Sequence, residues 1–419
     1  MSETKVFNRY FVMLGAVVAQ LCLGSIYAWT IFQTALFENT PYQWDKLLTQ
    51  LPFSVGLASF AFFMIFAGKW QDRVGPTKVA TVGGVLLGIG YILAGLVDFI
   101  ATGNELLGFL WLVLSYGVIS GAGIGFAYVC PIAALVKWFP DLKGLITGIA
   151  VAGFGAGALI FTQVETALIP EDGTVGTAFL LLGFLYLILV VGSAQLLRNP
   201  PSDWTPPIHL KKISPSPTPQ MGLDVQPREM IQTPEFWLLW GMFVLAAAAG
   251  LMTIGNVKSF VQIKNPEIDA VMAATIAGIL AIFNAAGRIV WGAISDRVGR
   301  TATMIIMFAT LGLAMFFFGL QPTNADILTL TIGASIIGFC FGGNFALFPS
   351  ATADYFGTKN IGSNYGLVFT AYGVAGVLGP FLAGIMDYGE AFPLLGLLAF
   401  LALGLAIITE LLARNKARI

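Results

Sequence analysis

Ionisable residues are scarce. Asp, Glu, Lys and Arg make up 10% of the 419 residues, against about a quarter in an ordinary soluble domain, so a globule of this size would have no charged shell. The 21 basic and 22 acidic side chains balance to a formal charge of −1, without the basic excess a nucleic-acid binder needs. The single histidine, His209, lies in a Pro-rich polar stretch, which argues against a zinc or haem site. The three cysteines, Cys22, Cys130 and Cys340, each sit inside an apolar run and make no disulfide framework. No Walker-type G-x-x-x-x-G-K-[ST] string occurs, so transport driven by ATP is not expected. No nucleophile, base and acid set is legible either, so the sequence predicts neither an enzyme nor a bound cofactor.

What remains is apolar: 57% hydrophobic residues and a mean hydropathy of +0.84. A bilayer core of roughly 30 Å takes about 20 apolar residues per helix. Runs of that kind occur at approximately 10–36, 47–68, 78–98, 106–130, 144–166, 176–197, 235–260, 270–294, 302–320, 326–350, 362–386 and 392–413. The first is too long for a cleavable signal. The pattern predicts an all-α membrane protein of twelve transmembrane helices, divided into a six-helix bundle over 1–197, a Pro-rich linker over 198–234 and a second bundle over 235–419. With the N-terminus inside, the inner segments hold 17 of the 21 basic residues and the outer ones only Lys46, Lys258 and Lys264. The distribution predicts cytoplasmic termini and linker, in a cell inner membrane. Arg288, within the eighth run, is the one basic residue left over.

The halves repeat. Gly68-Lys69-Trp70-Gln71-Asp72-Arg73-Val74-Gly75 and Gly292-Ala293-Ile294-Ser295-Asp296-Arg297-Val298-Gly299 share G-x-x-x-D-R-V-G, and Asp296 lies 224 residues after Asp72. Pro131, Gly144, Gly148, Phe154 and Gly155 match Pro349, Gly362, Gly366, Tyr372 and Gly373 at the same offsets from the proline. A duplicated six-helix unit predicts a binding site at mid-membrane between the copies. Asp72, Arg73, Asp296 and Arg297 read as charged latches to neighbouring helix ends, which set conformational balance without touching substrate. An ordinary basic inner turn is the competing reading. The glycines of 117–125 and 153–157 lie inside spans with no preceding strand, so they read as close helix packing and not as a dinucleotide loop.

Arg288 is the informative residue. An arginine within a span costs about 2.5–3.5 kcal/mol on insertion scales, and such residues mark ligand paths. Spans 1, 2, 4, 7 and 11 have no acid in their middles, so an anionic ligand is the economical counter-charge, while snorkelling or pairing with a distant carboxylate is the structural alternative. The planar guanidinium fork fits a carboxylate with two parallel hydrogen bonds. Asn284 is four residues earlier on the same helical face and can orient that fork.

Twelve spans, a central linker and the duplicated D-R-x-G loop resemble the major facilitator superfamily. Three longer strings narrow the likeness: Gly24-Ser25-Ile26-Tyr27-Ala28-Trp29, Lys137-Trp138-Phe139-Pro140-Asp141-Leu142-Lys143-Gly144-Leu145, and Phe345-Ala346-Leu347-Phe348-Pro349-Ser350 with Asn364-Tyr365-Gly366. Together they resemble the branch of monocarboxylate transporters and oxalate:formate antiporters. The resemblance implies that Arg288 binds substrate carboxylate, that Tyr27, Tyr128 and Asn344 line the cavity, and that Phe154, Phe341 and Phe345 hold aromatic wall positions. Helix packing is the competing reading for each of these side chains. Where the oxalate transporters carry a lysine in span 11 this chain has Tyr372. One fixed cation opposite a phenol suits one carboxylate plus a hydroxyl or keto oxygen, as in L-lactate or pyruvate. Asn284 replaces the aspartate of the animal monocarboxylate transporters, and asparagine cannot titrate. The expected partners are thus a small monocarboxylate, a proton and the lipid bilayer, and the expected state is a monomer. The proton would ride with the substrate–arginine complex, on Glu165 or on Asp354. Exchange of one organic anion for another is the alternative, and a carboxylate sensor that does not transport is a more distant one.

Overall fold

A computed structural model describes residues 7–38, 42, 44–101, 104–170, 172–201, 204 and 224–416. Among these are twelve helices long and apolar enough to cross a membrane. They are α1 Arg9–Phe37, α2 Leu48–Val74, α3 Pro76–Ala101, α4 Glu105–Trp138, α5 Lys143–Leu168, α6 Gly176–Ala194, α7 Pro234–Lys264, α8 Val271–Val298, α9 Arg300–Gly319, α10 Ile327–Phe356, α11 Ile361–Gly379 and α12 Tyr388–Leu412. The twelve predicted runs match these helices one for one. Most of the predicted linker, and His209, lie outside the described residues.

Helix ends follow local chemistry. Side chains of Asn8, Asn104, Thr233, Asp269 and Asp326 each accept a hydrogen bond from a backbone N–H in the first turn they precede, which satisfies donors that have no intrahelical partner. The last glycine of each repeated motif separates two helices at positive φ, 89° at Gly75 and 99° at Gly299. A side chain is strained there, so glycine is what lets an even-numbered helix turn sharply into the next. Two spans are irregular. In α1 a 3₁₀ segment covers Gly24–Ala28, and in α4 a π-helical segment covers Val113–Ser120. Such interruptions often mark functional stretches of a helix.

The chain forms two compact units, one of Met1–Trp138 with Gly153–Trp204 and one of Phe139–Ala152 with Thr205–Ile419. The division falls between Trp204 and Thr205, and Phe139–Ala152 belongs with the second unit. The reason is close packing, because a Cβ at Gly144 would lie 2.3 Å from the Gly292 carbonyl oxygen and one at Gly148 would lie 2.2 Å from that of Arg288. Only glycine allows backbones this near. Within the first unit α3 packs on α4 and α6, α2 on α4, and α1 on α4 and α6. Each pairing recurs in the second unit with the helix number raised by six, the structural counterpart of the sequence repeat. Large apolar side chains such as Phe99, Ile188, Val271 and Leu313 point outward and are exposed, as lipid-facing positions are.

Candidate functional site

In the second unit the site is built around Arg288, 2% exposed on α8. Its Nε donates to Asn284 Oδ1 at 3.1 Å, one helical turn away. Since a guanidinium has no acceptor, the amide must present oxygen to it. Its Nη1 donates to the Val151 carbonyl on α5 at 2.6 Å. The Cζ stands 4.4 Å from the Phe345 ring centroid on α10, a desolvated cation–π contact of the kind worth about 2 kcal/mol. Three neighbours of different chemistry therefore fix the orientation of the fork. Gly287 and Gly342 make this possible: a Cβ there would meet the carbonyl oxygens of Phe339 and Asn284, each at 2.0 Å, so α8 and α10 touch along their backbones.

Phe345 joins the cation to an aromatic wall. Its ring centroid lies 5.2 Å from that of Phe341 and 5.4 Å from that of Tyr372. Tyr372 in turn stacks on Phe369 at 5.1 Å, and Phe243 from α7 closes the group against Phe345 at 6.4 Å and Tyr372 at 6.3 Å. Asn344 is fully buried on α10, and neither atom of its amide has a hydrogen-bond partner among the described residues. Of the second-unit residues expected from sequence, Arg288, Asn284, Phe345, Phe341 and Tyr372 come together in one contiguous set. The Val151 carbonyl, Phe243 and Phe369 join them without having been expected.

In the first unit Tyr27, Tyr128 and Phe154 also converge. The Phe154 ring meets Tyr27 edge-on at 5.4 Å and Tyr128 edge-on at 5.3 Å. Phe60 of α2, not expected from sequence, completes the group at 5.0 Å from Tyr128. Buried Gln20 donates to the Tyr128 carbonyl at 3.3 Å. The 3₁₀ turn of α1 supplies Tyr27, and Gly24 within it is pressed so near α5 that a Cβ would lie 1.9 Å from the Phe154 carbonyl oxygen.

The four residues expected as latches lie at the C-terminal ends of α2 and α8. Asp296 caps the start of α5, accepting from the Gly144 and Leu145 N–H groups at 2.8 Å each. Arg300 pairs with it at 2.7 Å, and the adjacent Arg297 is exposed. Arg300 also binds Asp354 at 2.7 Å, and Asp354 binds Lys143 at 2.6 Å. In the first unit Asp72 accepts from Gln71 at 2.6 Å, and Arg73 is exposed. Asn364, in the string shared with the branch, donates to the Val225 carbonyl at 3.1 Å and anchors the end of the linker.

Residues 11–380 match the sequence pattern of the Major Facilitator Superfamily. The chain belongs to that superfamily. This facilitator is 31% identical to the uncharacterised transporter YhjX of Escherichia coli, over 88% of this chain and 86% of that protein. It is 28% identical to the oxalate:formate antiporter of Oxalobacter formigenes, over 95% and 91%, and 25% identical to apicoplast pyruvate carrier 1 of Toxoplasma gondii, over 85% and 80%. Among solved structures it resembles the proton:xylose symporter XylE with a TM-score of 0.70 at 15% identity, covering 94% of each chain, a likeness of fold. These relatives agree with the monocarboxylate and oxalate branch that the sequence strings resemble. The facilitator is therefore a multi-pass, all-α membrane transporter, with twelve candidate spanning helices among the described residues.

Proposed function

We propose that this facilitator is a secondary active carrier of a small monocarboxylate, L-lactate or pyruvate, moved with a proton by alternating access. It acts as a monomer in a cell inner membrane with both termini cytoplasmic. The observation that carries the reading is the arrangement of Arg288: a buried guanidinium held by Asn284 and the Val151 carbonyl and laid on Phe345. A cation oriented before the ligand arrives loses little freedom on binding, and the fork matches a carboxylate. Tyr372, against the same phenylalanine, supplies the phenol for the hydroxyl or keto oxygen beside that carboxylate. Asn344 brings a buried amide for a further oxygen, and Phe341 provides an aromatic wall; in the first unit Tyr27, Tyr128 and Phe154 form an aromatic group of their own. Asp72, Arg73, Asp296 and Arg297 set the conformational balance, with Arg300 bound to Asp296.

The relatives include a pyruvate carrier as well as an oxalate:formate antiporter. Anion exchange is the second reading, and Asn284, which cannot titrate, favours it. Labelled L-lactate uptake into proteoliposomes separates the two. Accumulation that follows an inward proton gradient and vanishes with a protonophore supports symport. Uptake driven only by internal anion, indifferent to the gradient, makes the protein an exchanger.

A further inference from the structure

Glu165 lies in the last turn of α5 and is fully buried, and neither carboxyl oxygen has a hydrogen-bond partner among the described residues. It is not part of the aromatic group around Phe154. Three phenols, Tyr91 of α3, Tyr116 of α4 and Tyr186 of α6, form a cluster against the last turns of α5. Tyr91 and Tyr186 meet edge-on at 4.9 Å, Tyr91 and Tyr116 at 5.3 Å, and Phe161, one turn before Glu165, packs on Tyr186 at 5.0 Å. From α1, Ser25 lies 3.5 Å from the Tyr91 hydroxyl, and Cys22 is the further titratable group on that side. No lysine or arginine forms an ion pair with Glu165 among the described residues.

An ionised carboxylate taken from water and left without donors costs several kcal/mol. Natural proteins seldom keep such a group unless it is used. The other acid that sequence offered as a proton carrier, Asp354, is held by Lys143 and Arg300, so protonating it would break two ion pairs. We infer that Glu165 is the proton-binding group of the transport cycle, a neutral carboxylic acid in the closed nest of Tyr91, Tyr116 and Tyr186. When the helices around it part and admit water, its O–H bond breaks and the proton leaves to that water. The carboxylate takes a proton back from the side with more of them before the nest closes again. The inference rests on the proton-coupled reading of the function.

The test compares wild type with Glu165→Gln in proteoliposomes, by L-lactate accumulation under an inward proton gradient and by counterflow of labelled against unlabelled L-lactate without one. Glutamine keeps the shape and holds the neutral form permanently. The expected result is counterflow within about twofold of wild type and gradient-driven accumulation lowered at least tenfold. A Gln variant that accumulates L-lactate like wild type overturns the inference while leaving proton coupling intact. A monodisperse Gln variant that loses counterflow as well makes Glu165 structural and also overturns it. A wild type that exchanges L-lactate but ignores the gradient fails one step earlier, at the proton-coupled reading, and the assignment falls with it.

Discussion

Asn284 and Arg288 stand one turn apart on α8, and the amide oxygen of the first accepts from Nε of the second at 3.1 Å. That single bond turns a flexible cation into an aimed one. Together with the Val151 carbonyl on Nη1, it requires donors at fixed positions around a planar group, which an ammonium cannot reproduce.

Arg288→Lys therefore keeps the charge and loses the geometry. Uptake of L-lactate by proteoliposomes is expected to fall at least tenfold, which corresponds to about 1.4 kcal/mol of lost interaction. Near-normal uptake by the lysine variant would remove Arg288 from the substrate site.

Asn284→Asp places a carboxylate where the amide now sits, 3.1 Å from the guanidinium. The ionised side chain competes with the substrate for Arg288, so apparent affinity for the anion falls at neutral pH and recovers as acidification neutralises the aspartate. KM for L-lactate measured across a pH series checks this. A KM that is unchanged at neutral pH means that the fork does not meet the anion.

Much of this was legible in the chain itself. Hydropathy reports helix length and burial in lipid directly, so all twelve spans could be read. Arg288 stood out because an intramembrane arginine is costly, and Asn284 because a spacing of four puts it on the same face. The same spacing from Asp296 leads to Arg300, which lies outside the shared D-R-V-G string. The Val151 carbonyl, Phe243 and Phe60 left no trace in sequence. A main-chain acceptor carries no residue signature, and with 34 phenylalanines in the chain only tertiary packing selects the few that line a site.

Tyr372→Lys tests the charge count. Tyr372 packs on Phe345, and Phe345 lies under the guanidinium, so a lysine here adds a second cation to the same aromatic wall. Preference is expected to shift toward dicarboxylates, read as the ratio of oxalate to L-lactate inhibition of uptake. An unaltered ratio would sink the idea that one cation selects one carboxylate.

The network of Asp296, Arg300, Asp354 and Lys143 should be a matter of stability before it is one of transport. Removing one partner of a buried charged network costs about 3–5 kcal/mol, because the others stay buried without it. Asp296→Ala loses the cap on α5 as well. Arg300→Ala and Asp296→Ala are expected to lower the thermal unfolding midpoint in detergent clearly, while Arg297→Ala leaves it within error. Equal losses at Arg297 and Arg300 would mean that the buried network is not what holds this end of the helices.

The approach of α1 to α5 supplies the last test. A Cβ on Gly24 would stand 1.9 Å from the Phe154 carbonyl oxygen and 2.7 Å from its carbon. These are backbone atoms and cannot swing aside, so Gly24→Ala must push the helices apart. Overpacking of this kind typically costs about 1–3 kcal/mol. The displacement also separates Tyr27, three residues on, from the edge of Phe154 that it meets at 5.4 Å. The variant should unfold at lower temperature and transport poorly. Gly192→Ala, where nothing lies within 4 Å of the added atom, serves as the control and should match wild type in both measurements. If Gly24→Ala is as stable and active as that control, α1 does not need its 3₁₀ turn to hold Tyr27 against α5.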